Sequence, residues 1–465
     1  MRKTKIVATI GPASQKAGII EEMVKEGVDV FRLNFAHGTL EEKKRIIRYI
    51  REIEKKFSRP IGIIADIPGR GPRIGVLPRG YLNKDEKVIL KFGAKESNHP
   101  HVIPVPQKEI LDILELGDNI LLADGRVIVE ITKIIGNEAE GTVISDGEVR
   151  SNVSITVKHK PLPFPALSER DKNFVKFSIK NDVDFIAFSF VQSADDVKEL
   201  RDFLDDNNGD LIKIISKIEN KPAILNLEKI IHLSDAIMVA RGDLGVQISL
   251  EDIPYLENLI IRESLKEGKP VILATQVLES MIESPVPTRA EIMDIATAVE
   301  KGVDAIMVSG ETAIGKYPVE VIRWLRKVIE KVEVFVKPPR YEVSEDSPIY
   351  AKFNRSVVYV AEFLGAKIIA FSTRGFTAMM LSRFRPRCDV IIISNIMKTV
   401  RQLKVMWGVN PIYSEIREMT LDELKRVAME KRLINEGEKI VLTLGWREEI
   451  GPAQDIRVEV IGGER

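Results

Sequence analysis

A chain of 465 residues exceeds what one hydrophobic core organises, so two or three domains are expected. Lysine plus arginine (69) equals aspartate plus glutamate (69), which excludes a global field drawing the chain to nucleic acid or to an anionic membrane; any phosphate binding has to be local. Hydrophobic residues at 44% suit a large core, and the single cysteine, Cys388, closes no intrachain disulfide, builds no multi-cysteine zinc site and is read as a packing residue. No apolar stretch nears the ~20 residues that span a bilayer, so a cytoplasmic location is expected.

Short apolar runs at 5–10, 28–35, 61–67, 183–191, 211–218, 235–242, 270–276 and 304–310 alternate with amphipathic stretches such as 41–57, 168–181, 194–206, 250–267, 288–301 and 318–332. Ser168 with Asp171 has the form of a helix-capping box. Apolar strands followed by crossover helices predict a parallel sheet buried on both faces, and eight such units predict closure into a (β/α)8 TIM barrel over 1–72 and 164–337. The alternation breaks over 73–163, where β runs at 87–91, 119–122, 126–131 and 154–157 are separated by Gly, Asn and Asp turns. They predict a small β-barrel domain inserted after the third strand, able to act as a lid. Gly69, Gly71 and Gly75 are read as its hinge, because their spacing is wrong for a dinucleotide cradle. After a Pro-Pro step at 338–339, strands at 366–372, 389–394 and 439–444 predict a separate C-terminal α/β domain over 338–465.

Reacting groups of such barrels sit at the C-terminal ends of the strands. Here those ends carry Arg32 and Asn34, Asp66, Ser189, Lys217 and Glu219, Arg241 and Asp243, Thr275 and Gln276, and Ser309 to Glu311. Side chains two apart on a strand point the same way, so Arg32 with Asn34, Lys217 with Glu219 and Arg241 with Asp243 are expected to project as pairs. An ion pair at a barrel rim accounts for any one of them. Seven strands ending this way, with Lys217 and Glu219 inside an apolar run, point to a site where Glu219 and Asp243 share a divalent cation and Arg32 and Lys217 face phosphate oxygens.

The stretches 4–14 (TKIVATIGPAS), 32–38 (RLNFAHG), 215–220 (ISKIEN), 238–245 (MVARGDLG), 274–281 (ATQVLESM), 287–291 (PTRAE) and 309–313 (SGETA) resemble the motifs of the pyruvate kinase family, in the family's order. The resemblance covers essentially the whole chain. It implies phosphoryl transfer between phosphoenolpyruvate and ADP, the last step of glycolysis, with Mg²⁺ as cofactor and Mn²⁺ as a substitute. Arg32 then holds the phosphoryl group, and Lys217 stabilises it together with the enolate oxygen. Glu219 and Asp243 hold Mg²⁺, while the Gly242 backbone and Thr275 cradle the substrate carboxylate, with Thr275 near the proton path. Asn34, His37, Arg73 and Arg170 match nucleotide-side positions, Arg170 standing where the family commonly has lysine. A homotetramer is also implied, as is a phosphorylated effector site near Ser372 to Thr377, where a plain strand-to-helix turn is the competing reading.

The family's monovalent-cation site draws on an Asn, a Ser hydroxyl, an Asp and the carbonyl of a following Thr. Asn34 and Asp66 remain, with Ile67 in the Thr position and Ala36 in the Ser position. The usual Asp-Thr-Lys-Gly-Pro-Glu-Ile-Arg stretch reads Asp66 to Arg73 without its acidic residue. K⁺ is therefore not expected to be required. Two rival readings are another enolate-stabilising Mg²⁺ barrel and a non-catalytic metabolite-binding protein that kept the fold.

Overall fold

The structure, a computed structural model, describes residues 2–416, 420–445 and 455–462. Eight parallel strands, Lys5–Ile10, Val30–Asn34, Gly62–Ile67, Phe185–Phe188, Lys213–Ile218, Ala236–Ala240, Val271–Ala274 and Ala305–Val308, close into a barrel. The first pairs with the eighth, from Lys5 with Ala305 to Ala8 with Val308. Alternate residues fill the interior, among them Val7, Ile64, Phe185, Ile215, Met238, Ile272 and Met307, and the others pack outward against the helices. These are the strands expected from the apolar runs.

Several runs overshoot. The fourth strand ends at Phe188 and the sixth at Ala240, where a helix, Arg241–Gln247, begins at once. Apolar sequence reports burial, and at the mouth the buried chain turns instead of extending. Ser168 and Asp171 form the expected capping box, with bonds of 3.2 and 3.0 Å. The same Asp171 accepts the Gly69 N–H at 3.2 Å. Gly69 has φ +63, and a Cβ there would lie 2.4 Å from the Ser189 carbonyl oxygen, so this corner admits only glycine.

The insertion is a six-stranded sheet around its own core, in the order Ile155–Val157, Asn119–Leu122, Val127–Ile135, Glu138–Ser145, Lys87–Phe92 and Val102–Val105. The C-terminal unit is a five-stranded sheet, in the order Val409–Tyr413, Val390–Ser394, Lys367–Phe371, Lys439–Thr443 and Ile456–Val460, the last pair antiparallel. Buried ion pairs fasten it beneath the barrel: Arg385 grips Asp304 at 2.8 Å and Lys404 reaches Asp29 at 3.0 Å. Cys388 packs against this domain's core, and burial pushes its thiol up to about 11, which leaves it unreactive.

Candidate active site

A cavity of about 780 Å³ opens between the C-terminal ends of the barrel strands and the inserted sheet. Arg32, Asn34, His37, Asp66, Arg73, Arg170, Lys217, Glu219 and Asp243 all line it, although they come from opposite ends of more than two hundred residues of chain.

Its floor is a charge cluster. Arg32 donates Nε to Asp66 Oδ2 at 2.7 Å, with Nη2 at 2.6 Å from the same oxygen, and Nη1 reaches Thr9 Oγ1 at 3.2 Å. Lys217 Nζ donates to Ser189 Oγ at 2.8 Å and lies 3.6 Å from Asp66 Oδ1 and 3.3 Å from Glu219 Oε2. Register explains the meeting: Asn34 and Ala187 flank Asp66 on the second and fourth strands, and Ser189 lies just past the latter. Asp66 was expected only as a monovalent-cation ligand; it is the carboxylate that orders both cations.

Glu219 accepts the Phe190 N–H at 2.6 Å through Oε1. Its Oε2 is buried and has no hydrogen-bond partner. Burial pushes this carboxyl up to about 7, with the charges of Asp243 and Asp66 adding to the effect against Lys217. Burial likewise raises the Asp243 carboxyl, opposed by Lys217 and reinforced by Asp124 and Asp66. For Lys217, burial works to discharge the ammonium, but Asp66, Glu219 and Asp243 outweigh it and hold its pKa above the ordinary lysine value. A buried carboxylate oxygen with no hydrogen bond and only the Lys217 ammonium near it, beside a second carboxyl that burial raises, fits a divalent cation. Among the described residues no three His, Cys, Asp or Glu side chains form a metal-binding group. A cation here would take two carboxylates and fill its shell with water and substrate oxygens, the pattern Mg²⁺ favours.

Thr275 follows the seventh strand with φ +69, and Gln276 with φ +53. This left-handed corner turns the Thr275 hydroxyl to accept the Gly242 N–H at 2.8 Å. On the opposite side, burial lowers the His37 pKa and the charges of Arg73, Lys43, Arg32 and Arg170 lower it further, so that side is a cationic rim. The Arg73 guanidinium donates to the Asn152 carbonyl at 2.7 Å, and Arg170 lies 5.2 Å from the Phe174 ring. Asn34 Oδ1 accepts the Ala36 N–H at 2.9 Å, and the Ile67 side chain is buried in the core.

Two expectations fail. Arg241 does not project with Asp243: it grips Asp294 at 2.8 Å and the carbonyls of Thr275 and Gln276 at 2.9 and 3.1 Å, because the strand ends one residue earlier and helical spacing parts the two. Glu311 folds back onto the Leu278 and Ser309 N–H groups at 3.1 and 2.7 Å, so it holds the loops after the seventh and eighth strands. Sequence reading missed the wall supplied by the insertion, where Gln107, Asp124, Gly125 and Thr156 line the cavity with Val246 and Gln247 opposite. Nothing local in the sequence marks them.

The family model for the pyruvate kinase barrel domain matches residues 1–322, and that for the pyruvate kinase alpha/beta domain matches 352–458. Pyruvate kinase of Staphylococcus epidermidis is 36% identical over 478 residues, covering 100% of this chain and 81% of its own. That of Agrobacterium vitis is 36% identical and covers 99% of both. The crystal structure of pyruvate kinase from Pyrobaculum aerophilum superposes with a TM-score of 0.89 at 31% identity, covering 99% of this chain and 100% of that one. The Cryptosporidium parvum enzyme gives 0.90 at 29%, covering 99% and 96%. Sequence and fold agree, and the chain belongs to the pyruvate kinase family.

Proposed function

We propose that the cavity over Asp66, Lys217 and Glu219 is where phosphoenolpyruvate and ADP meet, with Arg32, Lys217 and Thr275 as the catalytic residues and Asn34, His37, Arg73 and Arg170 on the nucleotide side. The reaction is that of the family: a terminal phosphate oxygen of ADP attacks the phosphorus of phosphoenolpyruvate, the bond to the enol oxygen breaks with its electron pair staying on that oxygen, and protonation at carbon gives pyruvate beside ATP. The observation that carries the site assignment is the buried Glu219 Oε2, which has no hydrogen bond and only the Lys217 ammonium at 3.3 Å, beside the Asp66–Lys217–Arg32 cluster.

Each residue has a task that follows from its surroundings. Arg32, held by Asp66 and Thr9, presents its guanidinium to equatorial phosphoryl oxygens without needing to reorganise. The carboxylates keep Lys217 protonated, so it acts as a fixed positive charge on the migrating phosphoryl and the enolate oxygen, and the carbon is protonated by another group. Thr275 accepts from Gly242, which leaves its hydroxyl proton free to point at the substrate carboxylate or into a relay toward the enolate carbon. Glu219 and Asp243 would hold Mg²⁺, with Mn²⁺ as substitute, and the ion would supply Lewis-acid neutralisation of developing negative charge. A monovalent ion would find Asn34, Asp66 and the Ile67 carbonyl, with Ala36 offering no side-chain oxygen and Asn34 Oδ1 already bonded. K⁺ dependence is therefore weak or absent.

Domain limits at 72/73, 163/164 and 337/338 are part of this proposal, supported by the separate sheets to which the strands on either side belong. Assembly as a homotetramer draws support from exposed aromatics such as stacked Tyr359 and Phe363, 58% and 77% exposed. A phosphorylated effector would use the Ser372–Thr377 turn, where Ser372 Oγ accepts the Gly375 N–H at 3.1 Å. No described helix is long and apolar enough to cross a membrane. The deciding experiment is pyruvate formation from phosphoenolpyruvate and ADP, with and without Mg²⁺ and K⁺. Absence of Mg²⁺-dependent turnover would overturn the assignment.

A further inference from the structure

We infer that Gln247 is a positioning residue that clasps the inserted β domain over the cavity and ties its closure to the helix carrying Gly242 and Asp243. That helix, Arg241–Gln247, works at both ends. Its first turn offers the Gly242 N–H to Thr275 Oγ1 at 2.8 Å and sets Asp243 into the cavity wall. Its last two residues meet the insertion at two places. Gln247, only 6% exposed, donates Nε2 to Thr156 Oγ1 at 3.1 Å, on the strand Ile155–Val157. Gly125, at φ +77, approaches Val246 so closely that a Cβ would lie 2.8 Å from its Cγ1.

Closure has an electrostatic side as well. Asp124, next to Gly125, lines the same cavity as Asp243, so seating the insertion brings a further negative charge toward the proposed cation site. A carboxamide at 247 supplies a donor for Thr156 without adding another charge beside Asp124 and Asp243. Because substrates enter and leave past this wall, the strength of the clasp sets how long the closed state persists.

One neutral hydrogen bond of ordinary net strength changes such an equilibrium by about five-fold. Thr156→Val, which removes the acceptor while keeping the shape, is expected to raise KM for both phosphoenolpyruvate and ADP by about that factor, with kcat unchanged or raised because opening becomes easier. Gln247→Ala should do the same, the double variant should be no worse than either single one, and Thr156→Ser should restore the original values. A purely structural role would lower thermal stability and leave the KM-against-kcat split untouched. Unchanged KM in Thr156→Val, or single effects that multiply in the double variant, would overturn the clasp. The inference rests on Gly242 and Asp243 bordering the substrate: if that reading fails, Asp243→Asn stays active, whereas failure of the clasp alone leaves Asp243→Asn inactive and Thr156→Val like the parent.

Discussion

Glu219 should make metal binding depend on pH near neutrality. Burial is the main force lifting its carboxyl from 4.5 to about 7. That gap of about 2.5 pH units corresponds to roughly 3 kcal/mol by which the metal-free folded chain favours the proton. Since the folded value is the higher one, this stabilisation is complete below the unfolded value of 4.5 and is lost as pH rises through about 7. A divalent cation reverses the slope, because it binds only the ionised carboxylate. The assay is the Mg²⁺ midpoint for pyruvate formation, with thermal unfolding of the metal-free protein beside it, both from pH 6 to pH 8. One competing proton predicts a midpoint that falls about tenfold per pH unit up to pH 7 and then levels, while the metal-free unfolding temperature drops across the same window. Glu219→Gln should remove that drop and bind Mg²⁺ poorly at every pH. A midpoint flat over the whole range refutes the reasoning, since it would mean the carboxylate is already ionised without the cation.

Other expectations follow from the same cluster. Lys217→Met removes the cation that faces the enolate oxygen, and kcat in steady-state assays should fall by about 10³-fold or more. Asp66→Asn leaves the Arg32 guanidinium and the Lys217 ammonium without their shared carboxylate at 2.6 and 3.6 Å, and denaturant unfolding should show a loss of about 3–5 kcal/mol; a loss under about 1 kcal/mol contradicts the pairing. Adding K⁺ to the Mg²⁺-saturated enzyme should leave the rate unchanged, and a many-fold rise would restore a monovalent-cation role despite Ala36 and Ile67.

Most of the barrel was legible because its strands are buried on both faces, so apolar runs and helical stretches alternate without ambiguity. Boundaries were less so: Ser189 and Val191 are buried yet turn or coil, and the run through 242 passes into a helix at Arg241, and hydrophobicity does not separate those states. Val409–Tyr413 escaped notice because Asn410 and Pro411 interrupt it; it is an edge strand, where proline's missing N–H disturbs no ladder. Ile456–Val460, also at an edge and half exposed, lacks a continuous apolar signal.

The site was legible where one strand carries two members two residues apart, as with Arg32 and Asn34 or Lys217 and Glu219, because side-chain alternation is a local property. It was not legible where the geometry depends on neighbours. Asp66 owes its place between Arg32 and Lys217 to register across three strands, and the wall at Thr156 depends on where a separate domain comes to rest. Charge balance ties these parts together. Three carboxylates, Asp66, Glu219 and Asp243, meet two cations, Arg32 and Lys217, in one cavity. Asp66 takes the contacts that keep it ionised, its pKa lowered despite burial, and the excess negative charge falls on Glu219 and Asp243, whose carboxyls are both pushed up. A fold selected for stability alone would neutralise that excess with one more basic side chain, so a cluster left one positive charge short supports the proposal that a cation binds there.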